Sequence, residues 1–266
     1  MTIGESLRDD GGRSDDGGRS DDGGRSDDGG RSDDDGRSDD DGRSESDSNE
    51  GQRVTGVVLV AHGGQESSTV PTTALQPAVL RMIPVAVAVR SALKGSGALV
   101  LRPRFAVRGW NGVRASPVTD LHQQLDAVAV AYGRIPVVLV GHSMGARAAV
   151  RAAGHPAVTA VAGLAPWLPR GEPADQLAGR RLLVAHGAAD TITSPSDTWA
   201  YVERARAVTQ VTAIEIKDGD HPMLRRARLW HAIAAEFARD AFGLPPAGSE
   251  ALATAVTATA GPRTVL

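Results

Sequence analysis

The sequence predicts an α/β fold, a three-layer α/β/α sandwich built on a mostly parallel sheet of about six strands. Short runs rich in Val, Ile and Leu alternate with longer helical patterns along most of the chain. Because these runs are apolar on both faces, they are typical of central strands in a parallel sheet that helices cover on both sides. The alternation indicates right-handed crossovers. The predicted strands are residues 54–61, 98–102, 135–140, 158–164, 181–185 and 211–216.

The helix predictions rest on capping residues and on the positions of proline and glycine. Ser116 and Ser194 are predicted N-caps, and Gly133 is a predicted stop signal. Pro84 lies inside a long apolar segment and is expected to kink or break that helix. The predicted helices are residues 77–93, 117–132, 145–153, 195–208 and 224–242, with a short one at 172–178.

Charge divides the chain into an arm and a body. Residues 1–52 carry seven Arg and eighteen acidic residues, a net charge of −11, whereas residues 53–266 have a net charge of +8. In the arm the unit Asp-Asp-Gly-Gly-Arg-Ser recurs every six residues without an apolar side chain, so we expect the arm to be disordered. Two interpretations stay open: an electrostatic interaction tail, or an expanded repeat or upstream sequence without a role of its own.

The body is long enough for one domain with its own core, predicted at residues 53–244. The Pro-, Gly- and Ala-rich stretch 245–266 is expected to be a flexible C-terminal tail.

The absence of cysteine excludes disulfides, thiolate metal sites and a cysteine nucleophile. The apolar runs are too short for a signal peptide or a membrane span, so a cytoplasmic protein without a membrane partner is expected. No basic patch interleaves with aromatic residues, so no nucleic-acid partner is expected. The oligomeric state is not predicted.

One motif combines a strand, a sharp turn and a helix. The strand at 135–140 runs into Gly141-His142-Ser143-Met144-Gly145, and a helical pattern follows at once. A serine nucleophile needs such a turn, because the side chain must project from a strained backbone and the flanking glycines avoid collisions. The same turn places the Met144 amide at the start of the helix, where the amide and the helix dipole favour an oxyanion.

Three further motifs each follow directly after a predicted strand. They are His62-Gly63-Gly64 after the first strand, His186-Gly187-Ala188-Ala189-Asp190 after the fifth, and Asp218-Gly219-Asp220-His221 after the sixth. With the serine motif, they make residues 54–242 resemble the α/β-hydrolase family of serine hydrolases, in an esterase-like form without a cap domain. Residues 108–112 resemble a structural loop of that family. Two features depart from the family pattern: Ala146 replaces a common third glycine, and the two antiparallel strands that often open the fold are missing.

The resemblance implies a catalytic triad of Ser143 as nucleophile, His221 as base and Asp190 as acid. It also implies that the Gly64 and Met144 amides form the oxyanion hole. Alternatives remain at four places. Asp218 and Asp220 are rival acids, and Gly63 or Gln65 are rival oxyanion donors. Trp167 is either a wall of the acyl pocket or a packing residue. The basic cluster Arg225, Arg226 and Arg228 is either a solvated helix face or a site for anionic substrates.

The expected function is hydrolysis of an ester-type bond in a small soluble substrate through an acyl-enzyme on Ser143, without a metal or organic cofactor. An acyltransferase or thioesterase of the same fold is the first alternative, and a non-catalytic ligand-binding homologue is the second. Only sixteen residues, 165–180, separate the fourth and fifth predicted strands, where cap domains are commonly inserted in this family. We therefore expect an open cleft and short-chain substrates.

Overall fold

The computed structural model describes residues 53–266, which are built around one seven-stranded parallel sheet. The strand order is β2-β1-β3-β4-β5-β6-β7, and every neighbouring pair is parallel. The predicted acidic arm, residues 1–52, lies outside the described residues. The strands are β1 (Gly56–Ala61), β2 (Ala98–Leu101), β3 (Val137–His142), β4 (Val158–Leu164), β5 (Arg181–Gly187), β6 (Gln210–Ile216) and β7 (Thr264–Val265).

Helices cover both faces of the sheet, which confirms the predicted three-layer architecture. Side chains from α3, α4 and α5 pack on one face, and side chains from α2, α6 and α7 pack on the other. No helix within residues 53–266 is long and apolar enough to cross a lipid bilayer. The helices are α1 (Pro77–Leu80), α2 (Met82–Ala92), α3 (Ser116–Tyr132), α4 (Met144–Ala152), α5 (Pro195–Ala205), α6 (Ala227–Ala241) and α7 (Glu250–Thr257).

Strand β1 shows how the sequence builds two cores at once. Val57 and Leu59 face the core under α3, α4 and α5, whereas Val58 and Val60 face the core under α2 and α6. All four side chains are at most 1% exposed. A strand with both faces covered must be apolar at every position, and this is the pattern from which the sheet was predicted.

Several helix ends differ from the sequence predictions. The break in the predicted helix 77–93 falls at Arg81, so Pro84 lies in the first turn of α2, where its missing N–H costs no hydrogen bond. Ala115 rather than Ser116 is the residue before α3. Helix α6 begins at Ala227 rather than at residue 224, because Arg226 adopts a left-handed conformation with φ 57°. The predicted short helix at 172–178 is only a 3-10 turn, Asp175–Leu177.

Residues 245–266, predicted to be a flexible C-terminal tail, contain a helix and a short strand in the structure. Ser249 caps α7 by accepting a hydrogen bond from the Leu252 amide. Val256 on that helix is fully buried, and its carbonyl accepts a bond from the Thr212 hydroxyl at 3.0 Å. The chain then adds β7 to the edge of β6, with Thr264 opposite Ile214. The segment is ordered by long-range partners that its Ala- and Thr-rich composition does not reveal.

We predict that a chain ending at Leu244 has a clearly lower melting temperature than the full chain, because it exposes the buried face under α7 and leaves β6 as a bare edge. Val256→Ala should lose about 1–3 kcal/mol of unfolding free energy. Val265→Ala, at a side chain that is 57% exposed, is the matched control and should be nearly neutral. Thermal melts and urea titrations provide the measurement. A shortened chain that melts with the full one would contradict the structural role of the C-terminal segment.

Candidate active site

The turn after β3 holds Ser143 in a strained conformation. Ser143 has φ 54° and ψ −118°, a region that non-glycine residues rarely occupy. Its amide donates to the Leu164 carbonyl at 3.1 Å, which ties the turn to β4. A side chain at Gly141 would collide with the backbone of Gly145 and Ala146, and one at Gly145 would collide with the His62 carbonyl. The two glycines are therefore required by the close approach of three backbone segments.

The amide of Met144 begins helix α4 and has no intrahelical acceptor. Among residues 53–266 it donates to no other group. The Ser143 carbonyl accepts from the amides of Ala146, Arg147 and Trp167, so the chain around the serine is fixed on both sides. An unoccupied donor at the positive end of a helix is suited to developing negative charge.

His62 sets the direction of the peptide between Gly63 and Gly64. Its Nδ1 lies 2.7 Å from the Gly63 carbonyl, and its Nε2 accepts from the Phe105 amide at 3.1 Å. These partners assign the proton to Nδ1, and burial lowers the pKa of this histidine, which favours the neutral ring. Since C=O and N–H of a trans peptide point in opposite directions, the bond to the Gly63 carbonyl turns the Gly64 N–H the other way. Gly64 packs directly on the Met144 side chain.

The residues after Gly64 are held by a second segment. The Gln65 amide donates to the Arg108 carbonyl at 2.8 Å, and the Trp110 amide donates to the Gln65 carbonyl at 2.9 Å. The Asn111 side chain accepts from the Ser68 amide and donates to the Ser68 carbonyl. Because its amide is occupied, Gln65 is not available as an oxyanion donor. The segment at 108–112, predicted to be structural, supports this loop.

The structure brings Asp190 and His221 together. His221 Nδ1 lies 2.9 Å from Asp190 Oδ2, and the two side chains are 11% and 0% exposed. Asp190 Oδ1 accepts from the Ile192 and Thr193 amides, and Oδ2 accepts from the Thr193 hydroxyl at 2.8 Å. His186 Nε2 is a further neighbour, 3.0 Å from Oδ2. Burial by itself raises the pKa of Asp190, but the contacts with His186, His221 and the two amides outweigh it and hold the pKa well below its usual range.

The loops that carry these two residues are locked together at their glycines. A side chain at Gly187 would collide with the backbone of Gly219, so only glycine allows this approach. The Ala188 amide donates to the Ile216 carbonyl, and the Ala189 amide donates to the Gly219 carbonyl at 3.0 Å. The separation of the carboxylate and the imidazole is therefore set by backbone contacts and not only by the side chains.

His142, next to Ser143, contacts the His221 loop. Its Nε2 lies 2.9 Å from the His221 carbonyl, and the two imidazole rings lie 4.9 Å apart. Burial, followed by the charge of His221, lowers the pKa of His142 to about 3, so the ring is neutral and Nε2–H is the donor. This contact links the serine turn to the histidine loop.

Asp218 and Asp220, the alternatives to Asp190 as the acid of the triad, have other surroundings. Asp220 Oδ1 accepts from the Leu224 and Arg225 amides at 2.9 Å, so this carboxylate caps the start of the following segment. Asp218 is exposed. The predicted basic cluster Arg225, Arg226 and Arg228 is also exposed and forms no ion pair with any residue from 53 to 266.

Sequence reasoning missed Thr193, which donates to Asp190 and lies 3.2 Å from His221 Nδ1. It also missed the contact between His142 and His221. Thr193 lies three residues after Asp190, and a hydroxyl at that spacing after Asp is a usable local signal. The contact of His142 depends on a residue 79 positions away and leaves no local signal.

The pH dependence of stability should report the neutral His142. Its pKa is about 6.5 in the unfolded chain and about 3 when folded, so below pH 6.5 the unfolded chain binds the extra proton and stability falls as the pH falls. Protonation of His142 in the unfolded chain therefore lowers the free energy of unfolding by about 2 kcal/mol at pH 5 relative to pH 7. His142→Gln keeps a side-chain N–H but cannot titrate, so its loss between pH 7 and 5 should be smaller by that amount. Urea titrations of both proteins at the two pH values measure the difference, and equal losses would contradict it.

Comparisons with known proteins agree on the fold. No protein-family model matches the chain, and no curated protein matches it. Among solved structures, an α/β serine hydrolase homologue from Coxiella burnetii is 17% identical with a TM-score of 0.51, covering 70% of this chain and 86% of that one. An α/β serine hydrolase without a lid from Xanthomonas campestris is 21% identical with a TM-score of 0.50, covering 74% and 85%.

A third similar structure is the esterase Est2 from Thermogutta terrifontis with propionate bound. It is 16% identical with a TM-score of 0.52, and the match covers 74% of this chain and 86% of that one. The matched structures are α/β hydrolases, and the likeness extends over most of each chain. The chain thus has the α/β-hydrolase fold, in a form without a cap domain among residues 53–266.

Proposed function

We propose that the protein is a serine hydrolase that cleaves an ester-type bond of a small soluble substrate through an acyl-enzyme on Ser143. The observation that carries the proposal is the ionised, buried Asp190 bonded to His221, beside a strained serine turn. The orientation of the Gly64 amide and the unoccupied Met144 amide support an oxyanion hole. The α/β-hydrolase fold supports hydrolase chemistry in general terms.

In the first half-reaction His221 acts as the base through Nε2, because Nδ1–H is held by Asp190. Nε2 takes the Ser143 Oγ proton while Oγ forms a bond to the carbonyl carbon. The carbonyl π electrons move to oxygen, and the Gly64 and Met144 amides donate to that oxyanion. When the intermediate collapses, the bond to the alkoxy oxygen breaks, and the leaving alcohol takes the proton from His221.

In the second half-reaction water replaces the alcohol. His221 Nε2 takes a proton from water, whose oxygen attacks the acyl carbon, and the same two amides hold the second oxyanion. Collapse breaks the bond to Ser143 Oγ, which recovers its proton from His221, and the carboxylic acid leaves. Asp190 stays ionised throughout, because its four hydrogen-bond donors favour the carboxylate.

The chain around the site supports a small substrate. Residues 165–180, between β4 and β5, contain only the 3-10 turn Asp175–Leu177 and are too short for a lid. A site without a lid segment offers little apolar surface to a long acyl chain, which favours a short acyl or alkyl group.

The triad predicts a specific order of variant activities on an activated ester. Ser143→Ala and His221→Ala should lower kcat about 10⁴-fold or more while the fold is kept. Asp190→Asn should lower it by a similar order, because the amide spoils the tautomer and the charge stabilisation of His221. Asp220→Asn is the matched control: an amide oxygen can still accept from the two backbone amides, so activity should stay near wild type. Loss in Asp220→Asn with an active Asp190→Asn would overturn the assignment.

Acyl length tests the open cleft. We expect kcat/KM to be highest for short acyl esters, such as acetate to butyrate, because an uncovered cleft offers little apolar surface to a long chain. Steady-state rates from acetate to palmitate, below and above the solubility limit, measure this. A rise toward palmitate, or a rate jump when droplets form, would contradict an uncovered site.

Assays with matched thioesters and with added alcohol acceptors distinguish ester hydrolysis from thioester hydrolysis and from acyl transfer. Faster turnover of the thioester would identify a thioesterase, and transfer to the alcohol at the expense of hydrolysis would identify an acyltransferase. We expect water to be the main acceptor, because nothing in the described residues excludes it from an open cleft.

A further inference from the structure

An arginine four residues after Ser143 lies in the corner between two tryptophans. The Arg147 guanidinium carbon is 4.0 Å from the Trp110 ring centroid and 4.4 Å from the Trp167 ring centroid. The two rings are 6.1 Å apart and nearly perpendicular, at 79°. Trp110 is 3% exposed and Trp167 is partly buried. A cation over two aromatic faces away from water is a strong form of the cation–π contact.

The position of Arg147 is also fixed from the other side. Its Nε donates to Glu172 Oε2 at 2.6 Å, and the Glu172 side chain is fully buried. Arg151, one turn later on α4, pairs with the other oxygen of Glu172. The two arginines therefore share one carboxylate, but within residues 53–266 only Arg147 contacts the tryptophans.

The backbones of the two tryptophans are bonded to different segments of the site. Trp110 pairs with Gln65 through its amide, and Gln65 directly follows the Gly64 donor. Trp167 donates its amide to the Ser143 carbonyl at 3.2 Å. Arg147 itself is on α4, the helix that follows Ser143, and its amide also donates to the Ser143 carbonyl. The Arg147 side chain thus joins three segments: the loop that contains Gly64 and Gln65, helix α4, and the loop after β4.

We propose that Arg147 is a positioning residue, which holds the Gly64 loop and Trp167 against the start of α4 so that the two oxyanion donors stay at a fixed separation. This role rests on the proposed function of Ser143. It acts through Trp110 and Gln65, because the guanidinium contacts the Trp110 ring and the Trp110 amide is bonded to Gln65, which follows Gly64. Its removal should weaken stabilisation of the oxyanion more than binding of the substrate ground state.

Two variants separate this role from a merely stabilising one. Arg147→Met keeps an unbranched chain between the rings but removes the planar cation and the bond to Glu172. Arg151→Met is the matched control, because it removes one bond to the same buried carboxylate and leaves the tryptophans untouched. Both variants should lower the melting temperature, since each takes one cation from Glu172. Only Arg147→Met should disturb the oxyanion loop.

The first readout does not depend on activity. Hydrogen–deuterium exchange of peptides covering residues 62–68 and 106–112 should speed up in Arg147→Met and stay unchanged in Arg151→Met. The second readout is catalytic. For Arg147→Met, kcat on a short activated ester should fall roughly 10- to 100-fold with little change in KM. The affinity for an alkyl boronic acid, which forms a tetrahedral adduct on the serine, should fall by a similar factor.

Equal exchange, kcat and boronate affinity in the two variants would overturn the proposal. So would a change confined to KM, which would make Arg147 part of a substrate pocket instead. A wild-type chain that hydrolyses no ester and binds no boronate would refute the proposed function, and the exchange comparison would still decide whether Arg147 holds the loop.

Discussion

The site depends on one strained residue, Ser143, whose backbone is held at φ 54° between the closely packed Gly141 and Gly145. Such a conformation costs about 1–3 kcal/mol for a residue with a side chain. It persists because β3 and α4 on either side of it are buried, and because the Ser143 amide is bonded to β4. The strain is thus maintained by packing that lies outside the site.

The remaining groups of the site are placed relative to this turn by backbone contacts. All the strands are parallel, so the loops after β1, β3, β5 and β6 meet at the carboxyl edge of the sheet. Three links then join these loops: the packing of Gly64 on the Met144 side chain, the bond of the His142 ring to the His221 carbonyl, and the contact of Gly187 with Gly219. The His62 and His142 rings are bonded to peptide carbonyls, whereas the His221 ring is bonded through Nδ1 to the Asp190 carboxylate.

The parts of this arrangement that could be predicted from sequence are the local ones. Valine-rich runs such as the one before Gly141 identify strands, because burial on both faces demands them. The turn motif 141–145 is also a local signal. Asp190 and His221 each lie in a short motif directly after a predicted strand, so they too could be predicted from neighbouring residues. The helix and strand of the C-terminal segment were not predicted, because they depend on distant partners, Thr212 and the edge of β6. The cluster around Arg147 was missed for the same reason, since its partners Trp110 and Glu172 are 37 and 25 residues away in the chain.

Covalent labelling tests the central claim, that the strained Ser143 is a nucleophile activated by His221. The wild-type chain would be treated with a fluorophosphonate, digested, and analysed by mass spectrometry. The account predicts one stoichiometric adduct, on the peptide that contains Ser143, and greatly slowed labelling in His221→Ala. An unlabelled wild-type chain, or an adduct on a different serine, would contradict it.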